Sequence, residues 1–187
     1  DAVLCDVPQG GGAGIAVLAD GLGGHVAGAL ASRLAVATAM QHLAGHRTPQ
    51  GRFDAPVPAL LAGAVDAAND AIAQCIRDRP EVAGMGTTLV AVAIEDGALY
   101  WASVGDSLLM LSRGGSLRQL NEVHSLARHL DLLARIGEIA PEEAATHPGR
   151  SCLTSALGGA AVERVDCPGM PIPLKEGDSV LLASDGL

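Results

Sequence analysis

The sequence predicts one α/β domain in which long helices pack on antiparallel strands. Three runs of apolar residues have the length of buried strands, and each run ends at an aspartate, namely Asp20, Asp106 or Asp185. Two longer segments, 26–43 and 59–77, carry apolar residues at the three- and four-residue spacing of a helix face. An Asp-Gly pair between two of the strand signals is typical of an antiparallel hairpin. Strands that end at aspartates also suggest one polar site assembled from distant parts of the chain.

Length and composition describe a globular protein with an acidic surface. The 187 residues fit one domain, and a hydrophobic content of 49% argues against disorder. The formal charge of −9 disfavours nucleic acid and anionic membranes as partners, because both bind clustered Lys and Arg. The same charge would repel a phosphorylated substrate unless metal cations occupied the acidic site.

The cysteine pattern predicts buried free thiols in a reducing cytoplasm. No pair has the spacing of a C-x-x-C motif or of a short disulfide framework. The four residues are Cys5, Cys75, Cys152 and Cys167. Charged residues interrupt the one apolar segment that approaches membrane-spanning length, and no signal peptide is visible. The chain opens on Asp1 without a methionine, so we expect residues upstream of it.

The first half of the chain predicts a hairpin followed by two helices. Residues 1–7 form a short strand, and a glycine-rich turn leads into the strand that ends at Asp20. These glycines belong to turns, because the third glycine of a G-x-G-x-x-G fingerprint is absent and no G-K-[ST] follows. The helix over 26–43 has a buried face of small residues, and the helix over 59–77 ends before Pro80. We expect the two helices to be antiparallel neighbours on a sheet.

The second half predicts strands that are interrupted by a helical flap. Five segments carry strand signals: 87–94, 98–104, 108–112, 151–156 and 161–167. Residues 121–150 form an inserted, exposed flap, with a helix over 125–136 and a further helical turn from Pro141. The last strand reaches Asp185.

Three aspartates at strand ends predict a metal site whose ligands are hard oxygen atoms. Such a site favours Mg²⁺ or Mn²⁺ over zinc, because no histidine or cysteine stands at ligand spacing. Two ions about 4 Å apart would activate a water and neutralise a phosphoryl group. The alternative is that each Asp-Gly pair only makes a turn, and this is the better interpretation of Asp96-Gly97.

Five motifs occur along the chain in a characteristic order. They are Val17-Leu-Ala-Asp20-Gly-Leu-Gly-Gly-His25, Gly84-Met-Gly-Thr-Thr88, Val104-Gly-Asp-Ser107, Leu153-Thr-Ser-Ala-Leu-Gly-Gly159 and Leu182-Ala-Ser-Asp-Gly-Leu187. Together they resemble the bacterial metal-dependent Ser/Thr protein phosphatases of type 2C. The resemblance implies a single phosphatase domain over 1–187. Its fold would be an α/β sandwich of two facing antiparallel β-sheets flanked by antiparallel helix pairs, with the small helical flap.

The resemblance also implies a set of metal ligands. Asp20 would bridge two Mn²⁺ or Mg²⁺ ions, the carbonyl of Gly21 would bind the second ion, and Asp185 would bind the first. Asp106 would hold a third, weaker ion. Asp1 would act as an acidic residue through metal-bound water. Phosphoserine and phosphothreonine would then be hydrolysed by metal-bound water, without a phosphoenzyme intermediate.

Two histidines and two threonines in or near these motifs have either a structural or a catalytic role. His25 either aids proton transfer to the leaving alkoxide or has a structural role at the start of a helix. For His124, at the entrance to the flap, a structural role is favoured over a catalytic one. Thr87 and Thr88 are expected to support the sheet rather than to contact substrate.

Three departures from the family pattern bear on activity. The phosphate-binding arginine of the family would precede Asp1, and its closing Asp-Asn motif would follow Leu187, so we expect a domain trimmed at both ends. Leu108 replaces the arginine that usually follows Gly-Asp-Ser. With one ligand missing, we expect weak metal binding and little or no activity from residues 1–187 alone.

The resemblance implies a cytoplasmic enzyme that opposes a Ser/Thr kinase and acts on phosphoserine and phosphothreonine proteins. We expect a monomer, with no nucleic acid and no membrane among its partners. The contrasting hypothesis is a catalytically impaired module of the same fold that binds a phosphoprotein or regulatory partner. The retained aspartates favour the enzyme.

Overall fold

The computed structural model describes residues 1–8, 12–22 and 25–184, with His25 described by its backbone only. Its strands and helices follow one another as β1 (Ala2–Asp6), β2 (Gly14–Ala19), β3 (Gly21–Leu22), α1 (His25–Gly45), α2 (Val57–Asp78), β4 (Gly86–Thr87), β5 (Leu89–Glu95), β6 (Ala98–Val104), β7 (Leu108–Arg113), β8 (Ser116–Gln119), α3 (Leu126–Arg135), α4 (Pro141–Thr146), β9 (Ile172–Pro173) and β10 (Ser179–Ala183).

The strands form two main sheets. A five-stranded sheet has the order β1-β2-β5-β6-β9, and a three-stranded sheet has the order β10-β7-β8, with antiparallel pairing throughout. One hydrophobic cluster joins them, with Val90, Val92 and Trp101 from the first sheet and Leu109 from the second. Because side chains alternate along a strand, these residues all lie on the inner face of their sheet. The sandwich and its hairpins are therefore confirmed.

The larger hydrophobic cluster lies on the other face of the five-stranded sheet. There α1 and α2 pack against each other and against the sheet, as predicted. The buried face of α1 includes Ala31, Ala35 and Ala39, whose small side chains let the helix backbone approach the neighbouring elements. The face of α2 supplies larger side chains, such as Leu61 and Ile72. No helix in the described ranges is both long enough and apolar enough to cross a membrane.

The region after residue 120 follows the prediction in its first part. The flap, residues 121–150, contains α3 and α4, which pack on each other. The strands predicted at 151–156 and 161–167 are wrong. These segments and the residues between them are irregular and make only single bridges, from Leu153 to Ser125, Leu157 to Thr87 and Asp166 to Ser103. Most of the side chains in these two segments are exposed, so their apolar residues do not indicate a strand that is buried on one face.

Two strands of the main sheets were not predicted from the sequence. The strand β8 is exposed along its whole length and therefore lacks the alternating pattern of a half-buried strand. The strand β9 is two residues long and contains Pro173, at the edge of the five-stranded sheet where a missing N–H is tolerated.

Candidate functional site

The backbone of Asp20 is fixed by two threonines from the neighbouring strand region. Its N–H donates to Thr88 Oγ1 at 3.0 Å. Its carbonyl accepts from the Thr88 N–H at 2.8 Å and from Thr87 Oγ1 at 2.7 Å. Both threonines are buried, whereas Asp20 itself is half-buried. These three bonds fix the direction in which the Asp20 side chain leaves the end of β2.

The residue after Asp20 packs directly against the start of α1. A Cβ atom on Gly21 would lie 2.1 Å from the carbonyl oxygen of Gly28, and a Cβ on Gly28 would lie 2.8 Å from the carbonyl carbon of Gly21. Only two glycines allow this backbone-to-backbone contact, because real Cβ atoms do not approach other atoms so closely. The contact sets the position of the Gly21 peptide, the predicted carbonyl ligand.

Asp106 lies in a turn that is joined to Asp20 through Thr88. The Thr88 hydroxyl, which accepts the Asp20 N–H, also shares a hydrogen bond of 2.7 Å with Ser107 Oγ. Gly105 has a φ of +100°, and a Cβ there would lie 2.7 Å from Thr88 Cγ2. The side chain of Thr88 thus sets the spacing between the two aspartate-bearing turns.

Two further buried side chains hold the Asp106 turn from the flap side. Asn121 donates from Nδ2 to the Ser107 carbonyl at 2.9 Å and accepts the Leu109 N–H on Oδ1 at 2.8 Å. His124 exchanges two bonds with Gly105: its N–H donates to the Gly105 carbonyl at 2.8 Å, and the Gly105 N–H donates to His124 Nδ1 at 3.2 Å. The turn is therefore held by side chains far away in sequence.

The environment of His124 supports a structural role. The residue is only 1% exposed, and burial lowers its pKa. Because Nδ1 accepts a hydrogen bond, the neutral ring carries its proton on Nε2. That atom is buried and has no hydrogen-bond partner among the described residues. His124 is a neutral clamp on the Gly105 backbone.

The two ends of the described chain meet at the same edge of the sandwich. The register pairs Ala2 with Ala19, and its continuation places Asp1 across from Asp20. The Ser184 hydroxyl donates to Asp1 Oδ2 at 3.1 Å. Ser184 also lines a cavity of about 420 Å³ together with Asp106. The structure thus brings together the regions of three predicted acidic residues and the strand that leads to the fourth.

Two predicted site residues cannot be placed in this way. Asp185 lies outside the described residues, and the side chain of His25 is not described, although its backbone is the first residue of α1. Within 1–8, 12–22 and 25–184, no group of three or more His, Cys, Asp or Glu residues is arranged to hold a metal ion. The predicted ligand set needs Asp185, so it stays a prediction.

The sequence analysis missed how much of the site depends on neutral residues. Thr87 and Thr88 were expected to support the sheet, and they do so by bonding the Asp20 backbone. The contributions of Ser107 and Asn121 were not anticipated. Their only signal in the sequence is a polar residue next to a buried strand, and this signal does not reveal a partner that is distant along the chain.

Comparisons with known proteins give a consistent result for the whole chain. The family model for protein phosphatase 2C matches residues 1–187. A curated relative, the serine/threonine protein phosphatase PstP of Mycobacterium tuberculosis, is 40% identical over 177 residues, which are 94% of this chain. The chain spans 32% of the length of that relative.

Solved structures give the same result at the level of the fold. A crystal structure of the Mycobacterium tuberculosis phosphatase PstP/Ppp matches with a TM-score of 0.76 and 35% identity, covering 100% of this chain and 78% of that one. A structure of the PstP catalytic domain in complex with two manganese ions matches with a TM-score of 0.70 and 33% identity, covering 100% of this chain and 77% of that one.

Proposed function

The chain belongs to the protein phosphatase 2C family, and from this premise we propose that it hydrolyses phosphoserine and phosphothreonine in proteins with the help of Mn²⁺ or Mg²⁺. The observation that carries the proposal is the Thr88 hydroxyl, which joins the turns of Asp20 and Asp106 at the edge where Asp1 meets Ser184. Aspartates delivered by separate strands to one edge are what a metal-dependent hydrolase needs.

The donors at this edge fit a hard divalent cation. They are carboxylate and carbonyl oxygens, which Mg²⁺ and Mn²⁺ prefer. In the proposed site Asp20, the carbonyl of Gly21 and Asp185 would hold two ions, with Asp20 as the ligand that both share, and Asp1 would act through a water. Asp106 is the proposed ligand of a third ion. Bound ions would supply an activated water and would neutralise the charge of the phosphoryl group.

The residues around these donors act by holding them in place. Thr87 and Thr88 fix the Asp20 backbone, so the point from which the carboxylate extends is set before a cation binds. Preorganised donors matter because reorganisation during the reaction would raise its barrier. His25, at the first position of α1, is the proposed source of a proton for the leaving alkoxide, with a structural role at the helix start as the alternative.

We propose further that the protein acts as a cytoplasmic monomer on substrates of a Ser/Thr kinase. Its four cysteines are all free, which is consistent with a reducing compartment, although Cys5 and Cys152 are exposed and the predicted burial of the thiols is wrong. The chain's charge of −9 supports the earlier expectation that nucleic acid and anionic membranes are not partners.

The test is made in the full-length protein and compares Asp20→Asn with Asp66→Asn, which alters an exposed carboxylate on α2. Turnover of a phosphothreonine peptide is measured with added Mn²⁺, and Mn²⁺ affinity is measured by calorimetry. We expect Asp20→Asn to lose both turnover and Mn²⁺ affinity while its unfolding transition stays cooperative, and Asp66→Asn to retain all three. Undiminished turnover in excess EDTA would refute the metal-dependent mechanism, and metal binding without turnover would favour a non-catalytic binding module.

A further inference from the structure

A second groove lies on the flap, beside the candidate site. It has a volume of about 560 Å³ and runs along α3, between that helix and the loop segments that carry Thr154 and Arg164. We name it the arginine groove after the charged and polar residues that line it: Glu122, Ser125, Arg128, His129, Arg135 and Arg164.

The charge of the arginine groove is opposite to that of the whole chain. The chain has 12 Lys and Arg against 21 Asp and Glu, yet three arginines meet one glutamate here. Arg128 and Arg164 both form ion pairs with Glu122, the second at 3.5 Å. One carboxylate cannot neutralise two guanidinium groups, and their side chains remain 58% and 59% exposed. The groove therefore retains a net positive charge and free N–H donors that can reach a ligand.

Two acidic residues that line an adjoining cavity together with Arg128 already have donors of their own. Asp131 accepts two bonds from Arg150, at 2.7 and 3.1 Å, and these bonds lower the pKa of Asp131. Asp166 accepts from Trp101 Nε1 at 3.0 Å and from the backbone N–H of Glu122 at 2.8 Å. These carboxylates are held in place by local contacts, so the guanidinium groups of the groove can pair with carboxylates of a ligand.

The arginine groove is continuous with the candidate active site. Val123 and Ser125 line both the groove and the cavity that contains Asp106 and Ser184. An extended peptide advances about 3.3 Å per residue, so a chain bound in the cavity reaches the groove within a few residues. A segment close in sequence to a phosphorylated residue would meet three arginines there.

We propose that the arginine groove binds an acidic segment of the phosphoprotein substrate, rich in Asp and Glu, next to the phosphorylated residue. The proposal rests on the phosphatase function proposed above. Arginine suits this task because its planar guanidinium pairs with a carboxylate through two parallel hydrogen bonds. Exposed ion pairs are individually weak, so the groove would tune the choice among phosphoproteins rather than dominate binding.

Binding and turnover are measured separately to test the proposal. The probes are two fluorescent phosphothreonine peptides, one with glutamates and one with glutamines on both sides of the phosphorylated residue. Their affinities are measured by fluorescence anisotropy in EDTA, which prevents metal-dependent turnover. We expect the glutamate peptide to bind about threefold to tenfold more tightly, because two or three exposed ion pairs would form. This ratio should fall as salt is added.

The matched variants are Arg128→Gln/Arg135→Gln in the groove and Arg33→Gln/Arg118→Gln elsewhere, on exposed parts of α1 and β8. Both remove the same charge. We expect the first to abolish the preference and the second to retain it. Equal binding of the two peptides to the unaltered protein, or a preference that survives in the groove variant, would overturn the proposal. Turnover of the glutamine peptide with Mn²⁺ tests the phosphatase function independently.

Discussion

Replacing Thr88 by valine removes one hydroxyl and almost no volume, and this hydroxyl joins the turns of Asp20 and Asp106. The variant leaves the Asp20 N–H and the buried Ser107 hydroxyl without their partner. Each buried polar group left unsatisfied costs about 1–3 kcal/mol, and the Asp20 N–H belongs to a half-buried residue and costs less, so we expect a loss of about 2–4 kcal/mol in the free energy of unfolding. At a typical urea dependence this moves the unfolding midpoint down by about 1 M or more.

The control for this variant is Thr88→Ser, which keeps the hydroxyl and removes only the methyl group near Gly105. Its cost should be about 1 kcal/mol, because one buried methyl group is lost. Urea unfolding measures stability, and Mn²⁺ titration by calorimetry reports the spacing of the proposed ligands. We expect Thr88→Val to weaken Mn²⁺ binding more than Thr88→Ser does. If the valine variant matched the serine variant in both measurements, the hydroxyl would not link the two turns.

Two further predictions concern a backbone contact and an ion pair. Gly28→Ala should destabilise the protein by about 1–3 kcal/mol and weaken Mn²⁺ binding, because the new Cβ would meet the Gly21 backbone. The control is Gly45→Ala, whose Cβ would have open space. Equal urea midpoints for the two variants would contradict this prediction. Hydrogen bonds from Arg113 lower the pKa of Asp178 to about 2, so their stabilisation is complete above the ordinary pKa of 3.8 and is lost as the pH falls from about 4 to about 2. The stability difference between the unaltered protein and Asp178→Asn should shrink over that range in thermal unfolding, and a constant difference would refute the assignment.

The helices and central strands could be predicted because their signals are local. The small-residue stripe of α1 and the hairpin at Asp96-Gly97 depend on residues within one or two turns of each other. The strands predicted at 151–156 and 161–167 are wrong because the structure of these segments depends on single bridges to distant residues, such as that between Ser103 and Asp166. Nothing in the spacing of their own residues encodes such a bridge.

The sequence marks the aspartates of the candidate site, but it does not show which partners its supporting residues bond. Aspartates at the ends of apolar runs can be recognised from the sequence, and so can the motifs around them. The hydroxyl of Thr88, which bonds the backbone of Asp20 and the side chain of Ser107, depends on three elements that only the folded chain brings together. Physical constraints of this kind act through space and leave no periodic pattern.

The hydrogen bond between Ser184 and Asp1 also bears on the order in which the chain folds during its synthesis. It joins residues 183 positions apart, so it forms only after the ribosome has released nearly all of the residues described here. By then α1, α2 and the central strands have long been available to build the main core. The nascent chain can therefore build most of its core before the edge that carries Asp1 and Ser184 closes.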